Sequence, residues 1–143
     1  MTSETLAHAV RDGIARTTAV VGLAGVALIH LLDLPGKFGE TPYLAWLYIG
    51  LILGCIVVAA ALIRHSDPRA WTAAALLPLG ALVGFTLTRT VGLPQAMGDI
   101  GNWTESLGLA SLFVEGSLVA LSCAMLASLS GVRRFALVEA VGA

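Results

Sequence analysis

Long apolar runs separated by short polar segments dominate the chain, and they predict four membrane-spanning helices. The runs cover about Thr17–Leu34, Pro42–Ile63, Pro68–Thr90 and a stretch from Asn102 to about Ser130. A helix needs about 20 residues to cross the hydrocarbon core of a bilayer, and each run is near that length. Short connections favour antiparallel neighbours. The sequence therefore predicts an all-α fold, a four-transmembrane-helix antiparallel bundle in one domain over residues 17–130.

Local signals predict where the helices begin and end. Thr41-Pro42 and Asp67-Pro68 each place an N-cap residue before a proline at the first helical position. Pro35-Gly36 predicts the end of the first helix. The segment Asn102–Glu105 matches a capping box and predicts the start of the fourth. Glycine pairs in the first three helices predict close packing faces, namely Gly22 with Gly25, Gly50 with Gly54, and Gly80 with Gly84.

The charged residues are concentrated at the edges of the predicted spans and indicate an orientation. Residues 1–16 place Leu6, Val10 and Ile14 at helical spacing among charges, which predicts an amphipathic segment on the membrane surface. Residues 131–143 form a short predicted tail. With both termini in the cytoplasm, the inner side holds Arg11, Arg16, Arg64, Arg69, Arg133 and Arg134, and the outer side holds only Lys37 and Arg89. The positive-inside rule therefore favours cytoplasmic termini and a multi-pass protein of the plasma membrane.

Composition supports the membrane assignment and removes several functional classes. Hydrophobic residues make up 57% of the 143 residues and charged residues only 12%, against about 25% in soluble domains. No cleavable signal peptide is evident, because a charged segment precedes the first long apolar run. No basic patch indicates nucleic-acid binding. Cys55 and Cys123 lie singly in apolar runs and are interpreted as small buried hydrophobes.

The stretch from Gly108 to Ser122 is the feature around which the chemistry is predicted. Gly108, Ser111, Glu115 and Ser122 share one helical face, with the carboxylate near mid-membrane. A charge at that depth costs about 2.5–3.5 kcal/mol on insertion scales unless it finds a partner. We therefore expect His30, Asp33 and Arg89, at the outer ends of two other helices, to meet Glu115 in a ligand-binding pocket. An Arg89–Glu115 pair with a purely structural role and a His30 that only complements the helix dipole remain open alternatives.

The same residues leave the cofactor undetermined. His30 and Glu115 are candidate metal ligands, but two ligands are too few for a closed site without Asp33 or Asp99. Copper held by Met97 and His30 is conceivable. A bis-histidine haem needs a second intramembrane histidine, and His8 and His65 lie on the cytoplasmic side. No catalytic constellation is evident, so the sequence favours a protein that is not an enzyme.

Three segments of the sequence resemble those of a known group of proteins. They are His30–Pro35 with Pro42–Leu44, Arg89–Pro94, and Asp99–Glu105 leading into Leu109–Gly116. Together they resemble a group of small, functionally uncharacterised four-helix integral membrane proteins of actinobacteria, over most of residues 20–120. The resemblance implies the fold and a bacterial plasma membrane, and it implies no chemistry.

Three functions are compatible with these predictions. The first is a membrane protein whose outer-side polar pocket binds a small ligand or metal ion, or which docks as an accessory subunit on a membrane partner. The second is an oligomeric transporter or proton-coupled permease that uses Glu115, with a homo-oligomer formed through a glycine face. The third, an oxidoreductase subunit, is disfavoured by the single intramembrane histidine and the absence of paired cysteines.

Overall fold

Four long helices make up most of the structure, as the apolar runs predict. The structure is a computed structural model that describes the backbone of residues 2–142 and the side chains of residues 2–131. Within that range the helices are α1 (Ser3–Glu40), α2 (Pro42–Arg64), α3 (Pro68–Thr90) and α4 (Ser106–Gly142), with a short 3₁₀ turn at Met97–Asp99. Each of the four contains a stretch long and apolar enough to cross a membrane. The all-α fold and the four candidate spans are therefore confirmed.

The first helix differs most from its prediction. α1 is one continuous helix of 38 residues, and Pro35 lies inside it. The prediction that Pro35-Gly36 ends this helix is wrong, as is a separate loop over residues 35–41, because only Thr41 separates α1 from α2. An interior proline removes one backbone hydrogen bond, and membrane helices tolerate that loss more readily than soluble ones. Residues 3–16, predicted as a surface segment, continue the same helix.

The starts of α2 and α3 agree with their local signals, whereas the start of α4 does not. Pro42 and Pro68 open their helices, and the Asp67 side chain accepts a hydrogen bond from the Arg69 N–H at 2.9 Å. Thr41 precedes α2 without a side-chain capping bond. The capping box at Asn102–Glu105 is wrong, because α4 begins at Ser106 and the Glu105 side chain binds Arg89. α4 also continues beyond the predicted end near Ser130, and the side chains of Arg133 and Arg134 lie outside the described residues.

Helix packing is uneven around the bundle. α1 lies along α2 and also contacts α4, and α3 lies along α4, whereas α2 and α3 meet over a much smaller area. The buried core is centred where α2 leads into α3, and Leu23, Leu62 and Trp71 have no exposed surface there. We call this region the closed end of the bundle. The other end, where α1 joins α2 and the segment from residue 91 to residue 105 joins α3 to α4, is called the cavity end.

Polar contacts fasten the closed end. Ser66 Oγ donates to Asp12 Oδ1 at 2.6 Å and accepts from Trp71 Nε1 at 3.2 Å. Arg16 donates to the carbonyl oxygen of Ile63 at 2.9 Å. These bonds connect the first half of α1 to the segment between α2 and α3. They fix that part of α1 against the bundle.

The predicted glycine faces fall into two groups. A Cβ at Gly22 or Gly25 would lie 3.2–3.4 Å from side chains of α4, and one at Gly54 would lie 3.1 Å from Leu77. These glycines lie at helix contacts, as expected. Gly50, Gly80 and Gly84 have no atom within 4 Å of such a Cβ. Their prediction as packing faces is therefore wrong within this chain, and they border open space instead.

Candidate functional site

A cavity of about 530 Å³ lies between α2 and α3 at the cavity end. Its volume is within the range of about 300–1,000 Å³ that small-molecule sites occupy. The walls are mainly apolar and include Leu47, Leu51, Leu76, Leu77, Gly80 and Gly84. One end is polar and is lined by His30, Asp33, Lys37, Tyr48, Arg89, Asp99, Glu105 and Ser111. Gly50, Gly80 and Gly84 also line the cavity, and the missing side chains at these positions leave part of its space open.

Glu115 lies one layer behind this cavity and is fully buried. Ser111, one turn earlier on the same face of α4, donates its hydroxyl to Glu115 Oε1 at 2.7 Å. His30 Nε2 lies 3.7 Å from the same oxygen, which is beyond hydrogen-bond distance. Glu115 Oε2 has no hydrogen-bond partner in the described part of the chain. The predicted proximity of His30 to Glu115 is thus observed as an adjacent buried pair.

His30 is fixed in orientation by two neighbours. Its Nδ1 lies 2.9 Å from the carbonyl oxygen of Val26, and since a carbonyl only accepts, Nδ1 carries the proton of this bond. The ring of Tyr48 packs edge-on against the imidazole with the centroids 4.6 Å apart. His30 is 8% exposed and lines the cavity. Nε2 is therefore the ring nitrogen left to face Glu115 or a ligand.

Arg89 does not pair with Glu115. Its guanidinium contacts Asp99 at 2.9 Å and Glu105, and it stacks over the Phe85 ring 4.8 Å from the centroid. The Arg89 carbonyl oxygen also accepts the Gly101 N–H at 2.9 Å. The Arg89–Glu115 pair considered from the sequence is therefore replaced by a clamp. This clamp connects the end of α3 to the segment that leads into α4.

Asp33 joins the polar end of the cavity through an unpredicted partner. Tyr48 donates its hydroxyl to Asp33 Oδ2 at 3.2 Å. The sequence predictions do not include this contact. Because the connection between α1 and α2 is a single residue, the two side chains face each other across the junction. A loop predicted from residue 35 to residue 41 hides that proximity.

The segment after α3 folds back over the cavity end. Tyr43 donates its hydroxyl to the Pro94 carbonyl oxygen at 2.8 Å, which bridges α2 and this segment. Gly92 adopts a φ of +75°, and Met97 and Ile100 pack so tightly on it that a Cβ there would lie 2.6 Å from the Met97 sulfur. Met97 is not one of the residues that line the cavity. A copper site that combines Met97 with His30 gains no geometric support.

Metal ligation has a limited donor set among the described residues. No group of three histidine, cysteine or acidic side chains lies close enough together there to hold a metal ion. His30 and Glu115 supply one nitrogen and one oxygen, fewer than a closed site requires. Cys55 is buried in the core as expected, whereas Cys123 is exposed, so its interpretation as a buried residue is wrong; both cysteines are free.

Comparisons with known proteins add no relatives to this picture. The chain matches no protein-family model, no curated protein and no solved structure. Function is therefore inferred from the geometry and chemistry of the cavity itself.

Proposed function

We propose that the chain is an antiparallel four-helix protein of a bacterial plasma membrane that binds a small organic molecule in the cavity between α2 and α3. Both termini face the cytoplasm in this proposal, because six arginines favour that side against two bases on the other. The cavity end then lies in the outer half of the membrane. The accessory-subunit role considered from the sequence stays a prediction, with no contact that favours it.

One observation carries the proposal: an apolar cavity of ligand size has its polar groups gathered at one end. Binding sites for small molecules combine apolar walls with a few oriented polar groups. Here His30 and Arg89 are at least nine-tenths buried and fixed by neighbours, so the polar end is preorganised. A gap that served only to loosen the bundle would need no such groups. These features support a binding site.

Photolabelling with a neutral alkyl diazirine alcohol in nanodiscs tests the proposal. We expect saturable labelling of α2 and α3 at the cavity walls, mapped by peptide mass spectrometry and competed by the unmodified alcohol. Gly84→Leu should abolish this labelling because the new side chain fills the cavity. Gly116→Leu is the matched control, since Gly116 also has open space around its Cβ position but lies outside the cavity. Labelling confined to lipid-facing positions, without saturation, would contradict the proposal.

A second function, proton-coupled transport, is favoured by the buried acid behind the cavity. Glu115 Oε2 has no hydrogen-bond partner among residues 2–131, and His30 lies between this carboxyl group and the cavity. A buried acid reached through a histidine is the arrangement that intramembrane proton relays use. Four helices rarely enclose a pathway, so this function requires an oligomer.

Proteoliposomes loaded with a pH-sensitive dye test the second function. We expect an imposed pH gradient to decay faster with the protein than without it if the relay operates. Glu115→Gln should remove that difference, and Glu40→Gln, at an exposed carboxylate of the same end, should not. Equal decay in wild type and Glu115→Gln would eliminate the relay and leave the binding function untouched.

A further inference from the structure

The charges at the polar end of the cavity determine which ligand it suits. Asp33, Asp99 and Glu105 line the cavity together with the two bases Lys37 and Arg89. Both bases are already engaged, since Lys37 contacts Glu40 at 3.4 Å and Arg89 is held between two carboxylates. Four acids thus surround two bases. The excess charge at this end is negative.

Asp33 is the acid whose negative charge is least compensated by a neighbouring base. Its side chain accepts from the Tyr48 hydroxyl, a neutral donor, and forms no salt bridge with a base among residues 2–131. A positively charged group in the cavity would supply the missing counter-charge in surroundings of low dielectric, where such a pairing is stronger than in water. His30 Nε2 adds an acceptor at the same end, because Nδ1 is committed to Val26.

Aromatic rings accompany these acids. Tyr48, Phe85 and Trp46 all line the cavity. Acids combined with aromatic faces favour ammonium groups, which are attracted to carboxylates and to the electron-rich faces of rings. An anionic group would meet the opposite conditions, since both bases among the described lining residues already contact carboxylates.

The rest of the cavity suits a hydrocarbon tail. Along α3 the lining runs from Leu76 to Arg89, about 20 Å at 1.5 Å per residue. Trp46, Leu47 and Leu76 line the cavity and are also 59–67% exposed on the outer surface of the bundle. In a membrane that surface faces lipid. The cavity therefore communicates sideways with the bilayer between α2 and α3.

We propose that the cavity binds an amphiphilic cation, with its amine head at Asp33 and its apolar tail between α2 and α3, and that the ligand enters from the bilayer. The inference rests on the proposed binding function and adds the charge and shape of the ligand. A membrane phospholipid is a poorer fit, because its phosphate would lie beside acids whose bases are already engaged. The occupant is instead a free amphiphilic amine dissolved in the membrane.

Three ligands of equal chain length test the head-group charge: dodecylammonium, dodecanol and dodecyl sulfate. Each is titrated into the full chain in phosphatidylcholine nanodiscs and corrected with protein-free nanodiscs, with binding measured by calorimetry. We expect dodecylammonium to bind about tenfold more tightly than dodecanol, as for one partly desolvated charge pairing, and dodecyl sulfate to bind weakest. Because phosphatidylcholine is present in large excess, saturable cation binding would also mean that this zwitterionic lipid does not outcompete the amine.

Two variants locate the head group. Asp33→Asn keeps an oxygen that accepts from Tyr48 and removes only the charge, and we expect it to abolish most of the preference for the cation. Glu4→Gln removes the same charge at an exposed position in the first turn of α1, outside the cavity lining, and should preserve that preference. If Asp33→Asn fails to fold, the three-ligand series on the wild-type protein remains decisive.

The outcomes separate the inference from the function on which it rests. Equal affinities for all three ligands, or a preference for the sulfate, would overturn the cationic head group while leaving a binding cavity. Saturable binding of none of them would overturn the inference and the proposed function together. Binding of the cation that Gly84→Leu leaves unchanged would overturn the placement of the tail.

Discussion

The two ends of the bundle use similar residues for opposite purposes. At the closed end, Trp71 is fully buried and hydrogen-bonded to Ser66, and the neighbouring helices meet around it. At the cavity end, Trp46 is 67% exposed and Gly84 has no neighbour where its Cβ would be. The buried contacts that stabilise the fold are therefore concentrated at the closed end. The cavity end has fewer such contacts and keeps open space that a ligand could fill.

The largest effect should come from the two tryptophans. Trp71→Ala is expected to lower the free energy of unfolding by about 3–5 kcal/mol, because it creates a cavity in the core. Trp46→Ala should change it by less than about 1 kcal/mol, since that side chain is mostly exposed. Unfolding by sodium dodecyl sulfate in mixed micelles, followed by circular dichroism, measures both. Similar losses in the two variants would contradict the difference between the ends.

Replacing the buried acid should stabilise the protein. Glu115→Met is expected to raise the free energy of unfolding by up to about 3 kcal/mol, because an intramembrane carboxylate is costly and methionine has a similar volume. Glu40→Met, at an exposed position, should give no such gain. The same micelle assay applies. A destabilised Glu115→Met protein would mean that the acid contributes to folding, and the case for a functional role would fall.

Alanine substitutions at two glycines compare a glycine that touches a neighbouring side chain with one that faces open space. A Cβ at Gly108 would lie 2.5 Å from the Phe85 ring, so Gly108→Ala should cost about 1–3 kcal/mol of stability. Gly84→Ala meets nothing within 4 Å and should be neutral or slightly stabilising, since alanine favours the helix by up to about 1 kcal/mol. Thermal loss of helicity in detergent ranks the two. The opposite ranking would show that α3 packs differently from this structure.

The smallest difference is expected between two hydrogen bonds, one at each end of the bundle. Ser66→Ala leaves Trp71 Nε1 without its partner in the core and should cost about 1–3 kcal/mol. Tyr48→Phe removes a bond at the more open end and should cost about 0.5–1.5 kcal/mol. Paired unfolding curves in one micelle composition resolve the difference. A larger loss for Tyr48→Phe would place the tighter network at the cavity end.

The sequence predicts the helices well because their signals are local. Pro42 and Pro68 after capping-type residues mark two helix starts without reference to any other part of the chain. Pro35 is also a local signal, but its consequence depends on the environment, since a membrane helix can absorb one missing bond. The length of an apolar run likewise shows that a span exists but does not fix where the helix stops.

The site is less predictable because its contacts join distant parts of the chain. His30, Asp33 and Arg89 do line one cavity, since depth along each predicted helix is enough to place them near the same end. The partner of Arg89 could not be chosen that way, because Asp99, Glu105 and Glu115 are all acids within plausible reach. The surroundings of the glycines cannot be predicted from the sequence for the same reason. Gly80 and Gly84 have the spacing of a packing face, and only the position of α2 shows that they border a cavity.

The most direct test of the account is the accessibility of position 84. In a background with Cys55 and Cys123 replaced by alanine, Gly84→Cys and Ala74→Cys are treated with a lipophilic maleimide in nanodiscs, and the alkylation rates are compared by mass spectrometry. Ala74 is fully buried on the same helix. The account predicts rapid alkylation at position 84, slowed by the added bulk of Gly80→Leu, and almost none at position 74. Equal protection of the two cysteines would contradict a cavity between α2 and α3.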